Sequence, residues 1–208
     1  LAEVPVLADF SVDVDALKND DAAIVLANPN APTGQALKRD HIASLVDSIH
    51  DRLVVVDEAY FGFGAETAVP LVADHDNLIV TRSLSKSHAL AGMRVGYLIA
   101  SEENTEWINR YGMGGYTLNQ AGLAAAIASY NDDAFLTFSK EKIYEGKSMV
   151  MDAVKANGLT ALPSSTNFIF VNLGDGNAES FRQAMAERDV LIRGIYRTYD
   201  NWSRVSMG

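Results

Sequence analysis

Polar side chains follow three apolar segments of the sequence, each at the point where the segment ends. Asn28 follows the first segment, Asp57 and Tyr60 follow the second, and Ser83 and Lys86 follow the third. In open α/β sheets, ligands bind outside the carboxyl ends of the strands. If the three segments are parallel strands, these polar groups converge on one edge of the sheet. The sequence therefore predicts a ligand site at that edge.

The charge along the chain is uneven around these residues. The chain has 17 Lys+Arg and 27 Asp+Glu, which gives a formal net charge of −10. Residues 77–101 nevertheless contain no acidic residue and hold Arg82, Lys86 and Arg94. Three cations beside two serine hydroxyls suit a phosphate group, through charge-assisted hydrogen bonds. This segment predicts a phosphate-bearing ligand.

Elements that would position these residues alternate between strand and helix patterns. Short β-branched runs predict strands at residues 23–27, 53–57, 78–81 and 94–100, and apolar residues at helical spacing predict a crossover helix at residues 38–50. Strands that alternate with helices indicate βαβ units and a mainly parallel, buried sheet. The fold class predicted for this half is α/β.

The second half of the chain has a different pattern. Helices are predicted at residues 119–130, 133–157 and 178–188, and strands at residues 168–171, 190–193 and 202–207. This order is typical of a smaller α+β unit. The glycine-rich stretch at residues 112–115 could separate the two halves. We therefore expect one domain at residues 1–115 and a second at residues 116–208.

Composition excludes several classes of function. A sequence pI of about 4.8 provides no basic face overall, which argues against a nucleic-acid-binding protein. No apolar run approaches the ~20 residues that a membrane-spanning helix needs, so no membrane contact is expected. The chain has no cysteine, which excludes disulfides, thiolate nucleophiles and cysteine-ligated zinc and fits a reducing cytoplasm. The four histidines show no ligand spacing, so no metal site is predicted.

Four segments together carry a family resemblance. The run from Ser83 to Gly96 resembles the pyridoxal-phosphate attachment motif of the class I/II aminotransferases. Three more segments match that family in its order along the chain: Asn-Pro-x-x-Pro-Thr-Gly at residues 28–34, Val-Asp-Glu-Ala-Tyr at residues 56–60 and Ser-Arg-Val-Ser-Met-Gly at residues 203–208. Within the family, the chain most resembles the histidinol-phosphate aminotransferase group.

The resemblance implies a fold type I architecture. We expect a PLP-transferase large domain, with a mainly parallel sheet and flanking helices, plus part of a smaller α+β C-terminal domain. The family's glycine-rich phosphate loop and its final helix have no counterpart between residues 1 and 208. The chain is therefore interpreted as a fragment.

The resemblance also implies a role for each residue at the cofactor ring. Lys86 would form a Schiff base with pyridoxal 5′-phosphate and move the proton between the substrate and the cofactor. Asp57 would pair with the pyridinium nitrogen and keep it protonated. Asn28 and Tyr60 would hydrogen-bond the 3′-oxygen of the ring.

Two further groups of residues receive anions in this interpretation. Ser83, Ser85 and Arg94 would hold the phosphate of the cofactor. Arg204 would bind the α-carboxylate of the substrate as a planar fork, a task for which lysine is poorly suited. Arg193 matches the position of a second anion-binding arginine in the histidinol-phosphate group.

The expected activity is amino transfer between an amino donor and 2-oxoglutarate. The donor would be L-histidinol phosphate or an aromatic amino acid, and the full-length protein would be a cytoplasmic homodimer. Two other functions stay open: a PLP-dependent decarboxylase or lyase, and the cofactor-sensing domain of a transcription regulator.

The candidate residues also have purely structural explanations. Asp57 could cap a helix, and Asn28 could begin a turn, as could the two serines. Arg94 and Arg193 could form surface ion pairs. Arg204 could be an edge-strand charge that discourages sheet pairing.

Overall fold

The computed structural model describes residues 2–19, 21–112, 118–194, 196 and 199–207. Its first sheet contains four strands in the order β1 (Ile24–Ala27), β2 (Val54–Asp57), β3 (Leu78–Ser83) and β4 (Gly96–Ile99). β1, β2 and β3 are parallel, and β4 is antiparallel to β3. The predicted mainly parallel sheet is confirmed. β4 begins two residues later than predicted, because Arg94 has a left-handed backbone with φ 57°, which extended pairing does not allow.

One face of this sheet packs against α1 (Val14–Lys18), α2 (Arg39–Asp47) and a 3₁₀ helix (Val69–Ala73). α2 presents Ile42, Leu45 and Val46, which are completely buried. Their spacing of three and four residues places them on one side of the helix, as the sequence pattern predicted. This core holds the carboxyl ends of β1, β2 and β3 in place.

β1 is an outer strand of the sheet in the described part of the chain, because β2 is its single neighbour there. Burial alternates along β1: Ile24 and Leu26 are buried, whereas Val25 is 72% exposed. Successive side chains of a strand point to opposite faces. The side of β1 that faces away from the helices therefore remains uncovered.

The second sheet contains β5 (Thr160–Ala161), β6 (Phe168–Asn172) and β7 (Trp202–Ser206), with β6 in the centre and all pairs antiparallel. The predicted strand at residues 190–193 is wrong. None of these four residues pairs in a sheet. The chain turns at Asp189, with φ 60°, and the side chain of Leu191 is 90% exposed.

The remaining helices in the described ranges are α3 (Leu84–Ser87), a second 3₁₀ helix (Ala91–Met93), α4 (Glu102–Tyr111), α5 (Gln120–Tyr130), α6 (Asp133–Ala156) and α7 (Ala178–Ala186). α4 was not predicted. It buries none of its residues, so it lacks a core-facing stripe, although Ser101 caps it in the usual manner. None of the helices in the described ranges is long and apolar enough to cross a bilayer. The predicted domain boundary between residues 115 and 116 lies outside the described residues, and the domain division stays a prediction.

His75 connects the 3₁₀ helix to α2 through both of its ring nitrogens. Nε2 lies 2.7 Å from Oδ1 of Asp47, and Nδ1 lies 2.8 Å from the carbonyl oxygen of Leu71. Both partners are acceptors, so they favour the protonated ring. The hydrogen bond to Asp47, followed by that to Leu71, raises the pKa of His75 above its usual value.

This arrangement predicts a pH-dependent stability. A histidine whose pKa is higher in the folded protein than in the unfolded chain stabilises the fold. The stabilisation is complete below the unfolded pKa, which is about 6.5 for histidine, and it is lost as the pH rises through the folded pKa. We expect the free energy of unfolding to fall by about 0.5 kcal/mol above pH ~6.5, a small change because solvent screens the 66% exposed Asp47. Urea unfolding at several pH values measures it. His75→Gln should remove the pH dependence of the unfolding free energy. His41 is an exposed histidine on α2, and His41→Gln should retain that dependence. Loss of the dependence in His41→Gln but not in His75→Gln would contradict the prediction.

Candidate active site

The parallel strands bring the predicted residues to one edge of the first sheet. Asn28 follows β1, Asp57 ends β2, and Ser83 ends β3 and is followed by α3, which carries Lys86. The backbone N–H of Asn28 donates to the carbonyl oxygen of Asp57 at 2.9 Å. The two strand ends are therefore in direct contact.

The carboxylate of Asp57 is oriented by its neighbours. Its Oδ1 accepts from the backbone N–H of Ala59 at 3.1 Å and from the hydroxyl of Thr81 at 3.2 Å. Both of the hydrogen bonds that it makes to described residues go to Oδ1. Oδ2 can therefore accept a proton or hydrogen bond from a ligand.

Asn28 is buried and has a structural role. Its Oδ1 accepts from the backbone N–H of Leu37 at 2.7 Å, and its Nδ2 donates to the carbonyl oxygen of Leu37 at 3.3 Å. The side chain thus connects the end of β1 to the chain nine residues later. One amide hydrogen remains for a ligand, so the predicted contact with a cofactor ring depends on that hydrogen.

The loop after Asn28 contacts the segment before β6. The N–H of Ser165 donates to the carbonyl oxygen of Gly34 at 2.8 Å. Gly34 has φ 78°, and a Cβ at this position would lie 2.6 Å from Oγ of Ser164. Glycine is therefore required, because a side chain would clash and the backbone conformation disfavours one. The contact holds the second sheet against the loop.

Lys86 is exposed and lies over an aromatic ring. Its Nζ is 5.9 Å from the ring centre of Tyr60. The ring of Tyr60 packs edge-on against Phe168 of β6, with centroids 5.2 Å apart. Arg204 of β7 places its guanidinium carbon 4.9 Å from the centre of the same Phe168 ring. A continuous series of contacts thus connects the amine of Lys86, at the edge of the first sheet, with the guanidinium of Arg204 on the second sheet.

The serines have a capping role. Oγ of Ser83 accepts from the N–H of Ser85 at 3.1 Å at the start of α3, and the two hydroxyl oxygens lie 2.7 Å apart. Arg94 is exposed, and within the described structure its guanidinium makes one hydrogen bond, to the carbonyl oxygen of Ala91 at 3.2 Å. Most of its N–H groups can therefore bind an anion.

Arg82 does not belong to the predicted phosphate patch. Its Nε donates to Oε2 of Glu58 at 2.9 Å, its Nη2 donates to the hydroxyl of Thr67 at 2.7 Å, and its guanidinium stacks 4.3 Å from the centre of Phe61. Glu58 is 2% exposed. A buried carboxylate requires a charged partner, and Arg82 fulfils that requirement. The cations left for a ligand at this edge are Lys86 and Arg94.

Arg193 and Arg204 meet at one aromatic ring, that of Tyr196. The guanidinium carbon of Arg193 lies 4.8 Å from the ring centre, and that of Arg204 lies 5.5 Å from it. Burial raises the pKa of Tyr196, while the charges of Arg204 and Arg193 act in the opposite direction. The predicted substrate arginines are therefore brought together.

Sequence reasoning missed two aromatic residues of the site. Phe168 was assigned only to a strand, and Tyr196 was not singled out at all. The available signal was the order of residues: Phe168 begins the strand that pairs with the strand of Arg204, and Tyr196 lies three residues after Arg193. An aromatic face is a common partner for a guanidinium.

A buried pair follows Lys86 directly. Oγ of Ser87 and Nδ1 of His88 are 2.8 Å apart, and both residues are buried. Burial lowers the pKa of His88, and the charge of Lys140 lowers it further, so the imidazole is uncharged at neutral pH. The pair anchors the end of α3, the short helix that presents Lys86.

Known proteins resemble the chain over its whole length. Residues 1–208 match the family described as aminotransferase class I and II. Histidinol-phosphate aminotransferase 1 of Bradyrhizobium diazoefficiens is 38% identical over 209 residues, which cover 99% of this chain and 60% of the relative. Histidinol-phosphate aminotransferase of Gluconacetobacter diazotrophicus is 40% identical over 214 residues, which cover 100% of this chain and 60% of the relative. The chain thus spans about 60% of the length of these curated relatives.

A solved structure shows the same architecture. Histidinol-phosphate aminotransferase from Sinorhizobium meliloti, in complex with pyridoxal-5′-phosphate, has a TM-score of 0.87 and 26% sequence identity, with 100% of this chain and 59% of that chain covered. The fold type I class predicted from the resemblance is confirmed. The chain belongs to the aminotransferase class I and II family.

Proposed function

We propose that the full-length protein is a pyridoxal-phosphate-dependent aminotransferase that uses 2-oxoglutarate as amino acceptor. The observation that carries this proposal is the contact series from Lys86 through Tyr60 and Phe168 to Arg204. It joins a nucleophilic amine to a group suited to a carboxylate, which an enzyme acting on amino and 2-oxo acids needs. The pyridoxal-5′-phosphate complex of the Sinorhizobium meliloti relative supports the choice of cofactor.

The residues at the sheet edge fit this cofactor chemically. The unused Oδ2 of Asp57 suits a protonated ring nitrogen, and Tyr60 and the second amide hydrogen of Asn28 suit the ring 3′-oxygen. The hydroxyls of Ser83 and Ser85 and the exposed guanidinium of Arg94 would hold the phosphate. When bound, pyridoxal phosphate supplies an aldehyde that reacts with amines and a ring that accepts electrons from the substrate.

The protein's own groups would act on the substrate as follows. Arg204 binds and orients the carboxylate through two parallel N–H groups. Lys86 would take the proton from the α-carbon of the substrate and pass it to the cofactor, which a flexible amine beside both can do. Asp57, held by Ala59 and Thr81, keeps a proton on the ring nitrogen of the cofactor.

We propose L-histidinol phosphate as the amino donor, with an aromatic amino acid as the alternative. Arg193 and Arg204 lie within 5.5 Å of one ring centre and form a doubly positive site. Such a site suits the phosphate of a phosphorylated donor in one half of the reaction and the two carboxylates of 2-oxoglutarate in the other half. The names of the relatives, which are histidinol-phosphate aminotransferases, favour the phosphorylated donor.

A single-turnover absorbance experiment on the full-length, cofactor-loaded protein tests this function. L-histidinol phosphate, L-phenylalanine and L-glutamate are added separately, and the absorbance band of the bound cofactor is followed. We expect glutamate to discharge the band and histidinol phosphate to discharge it fastest. Faster discharge by phenylalanine identifies an aromatic or broad-range enzyme, and a band that no donor discharges contradicts amino transfer.

We also propose a homodimer in the cytoplasm. α5 exposes Leu123, Ile127 and Tyr130, an apolar surface of the kind that subunit interfaces cover. The lack of cysteine favours a reducing compartment. Sedimentation of an active monomer at micromolar concentration would contradict the dimer.

A further inference from the structure

The ring of Tyr196 contacts both arginines of the candidate substrate site. Its ring centre lies 4.8 Å from the guanidinium carbon of Arg193 and 5.5 Å from that of Arg204. The ring packs edge-on against Phe170, at 6.0 Å and 90°. Phe170 is completely buried in β6. A ring held against a rigid strand therefore contacts both positive charges, and Arg204 has a second aromatic contact, with Phe168 at 4.9 Å.

Two buried polar atoms at this ring lack a hydrogen-bond partner among the described residues: the hydroxyl oxygen of Tyr196 and Nε of Arg204. Native proteins rarely leave such groups unsatisfied. Burial raises the pKa of Tyr196, so the phenol keeps its proton at neutral pH and can donate. An anionic oxygen would supply the acceptor that the described residues do not give these two atoms.

The charges at the ring indicate how many negative groups the ligand carries. A carboxylate matches the paired N–H groups of one guanidinium. Two guanidiniums on one ring, with an extra phenol donor, therefore match a ligand with two negative charges. A ligand with one carboxylate would leave the buried phenol or the buried Nε of Arg204 without an acceptor.

We propose that Tyr196 is a specificity-determining residue that makes the site prefer a ligand with two negative charges over a ligand with one. The ring contacts the guanidiniums of both Arg193 and Arg204, and the hydroxyl donates a further hydrogen bond to the anion. This inference rests on the proposed aminotransferase function.

The test compares two 2-oxo acids in the full-length, cofactor-loaded protein: 2-oxoglutarate, with two carboxylates, and pyruvate, with one. Tyr196→Leu removes the ring and should raise KM for 2-oxoglutarate about tenfold, while kcat and the KM for pyruvate change less than about twofold. Tyr196→Phe retains the ring and removes only the hydroxyl, and it should raise KM for 2-oxoglutarate about threefold.

Tyr199→Leu is the matched control. Tyr199 also packs edge-on against Phe170, at 6.1 Å and 83°, but in the described structure its ring contacts neither arginine. This variant loses the same kind of packing and should leave the ratio of the two KM values unchanged. If Tyr196→Leu raises both KM values equally, or if Tyr199→Leu alters the ratio as much, the role of Tyr196 is refuted.

Wild-type activity separates this inference from the proposed function. A wild-type protein that transaminates neither 2-oxo acid refutes the aminotransferase function and the role of Tyr196 with it. If the wild-type protein transaminates 2-oxoglutarate and the Tyr196 variants keep the wild-type ratio of the KM values for 2-oxoglutarate and pyruvate, only the role of Tyr196 is refuted. Tyr196→Phe preserves the volume of the ring, so it supplies the answer if Tyr196→Leu does not fold.

Discussion

Replacing Lys86 with alanine is expected to abolish amino transfer, with a loss in kcat of at least about 10³-fold. Lys86 is the exposed amine at the sheet edge, 5.9 Å from the ring centre of Tyr60, and it begins the contact series that ends at Arg204. Without its amine the α-carbon proton has no base. The half-reaction with L-glutamate, followed by absorbance on the full-length protein, measures the loss.

Two variants separate chemistry from charge in this experiment. Lys86→Arg retains the positive charge but provides no amine that can act as a base at neutral pH, so it should be as inactive as Lys86→Ala. Lys140→Ala removes a lysine of α6 whose charge lies close to His88, and it should keep most of the activity. An active Lys86→Ala variant would show that the base has been assigned to the wrong residue.

Removing the charge of Glu58 is expected to lower the free energy of unfolding by about 3 kcal/mol. The Glu58 carboxylate accepts from the hydroxyl of Thr67 at 2.9 Å, from the N–H of Ala68 at 2.6 Å and from Arg82 at 2.9 Å. In Glu58→Gln the guanidinium of Arg82, 15% exposed, would be left without a counter-charge. Urea unfolding of the full-length protein measures the change.

A double-mutant cycle shows whether the loss arises from the ion pair. Arg82→Met should destabilise the protein by a similar amount, and the double variant should recover much of the loss, since neither buried charge is then unpaired. Glu145→Gln is the matched control: Glu145 pairs with Lys142 at 2.7 Å, but its side chain is 60% exposed, and the unfolding midpoint should not move. If the loss of unfolding free energy in the double variant equals the sum of the losses in the two single variants, the prediction is contradicted.

The sequence was sufficient to predict the first sheet and the edge at which its polar residues meet. β-branched runs located β1, β2 and β3, and the spacing of Ile42, Leu45 and Val46 located α2. These patterns are local, since each is set by the period of its own element. The parallel order then brings Asn28 and Asp57 together without any further information.

Features that depend on contacts between distant segments could not be predicted. Glu58 and Arg82 are 24 residues apart, and nothing in the segment around Arg82 shows that its charge is already paired. Residues 190–193 have the composition of a strand, but the backbone turns at Asp189 and the side chain of Leu191 is 90% exposed, and the composition of the segment shows neither feature. Tyr196 meets Arg204 because its ring packs on Phe170, which lies opposite Arg204 in the second sheet.

The uncovered outer strand β1 has a consequence for handling the protein. An outer strand with unpaired backbone groups and an exposed apolar side chain is a template for pairing with another chain. Val25, 72% exposed, belongs to such a strand. A preparation of these 208 residues alone is therefore expected to aggregate edge to edge, and kinetic comparisons belong on the full-length protein.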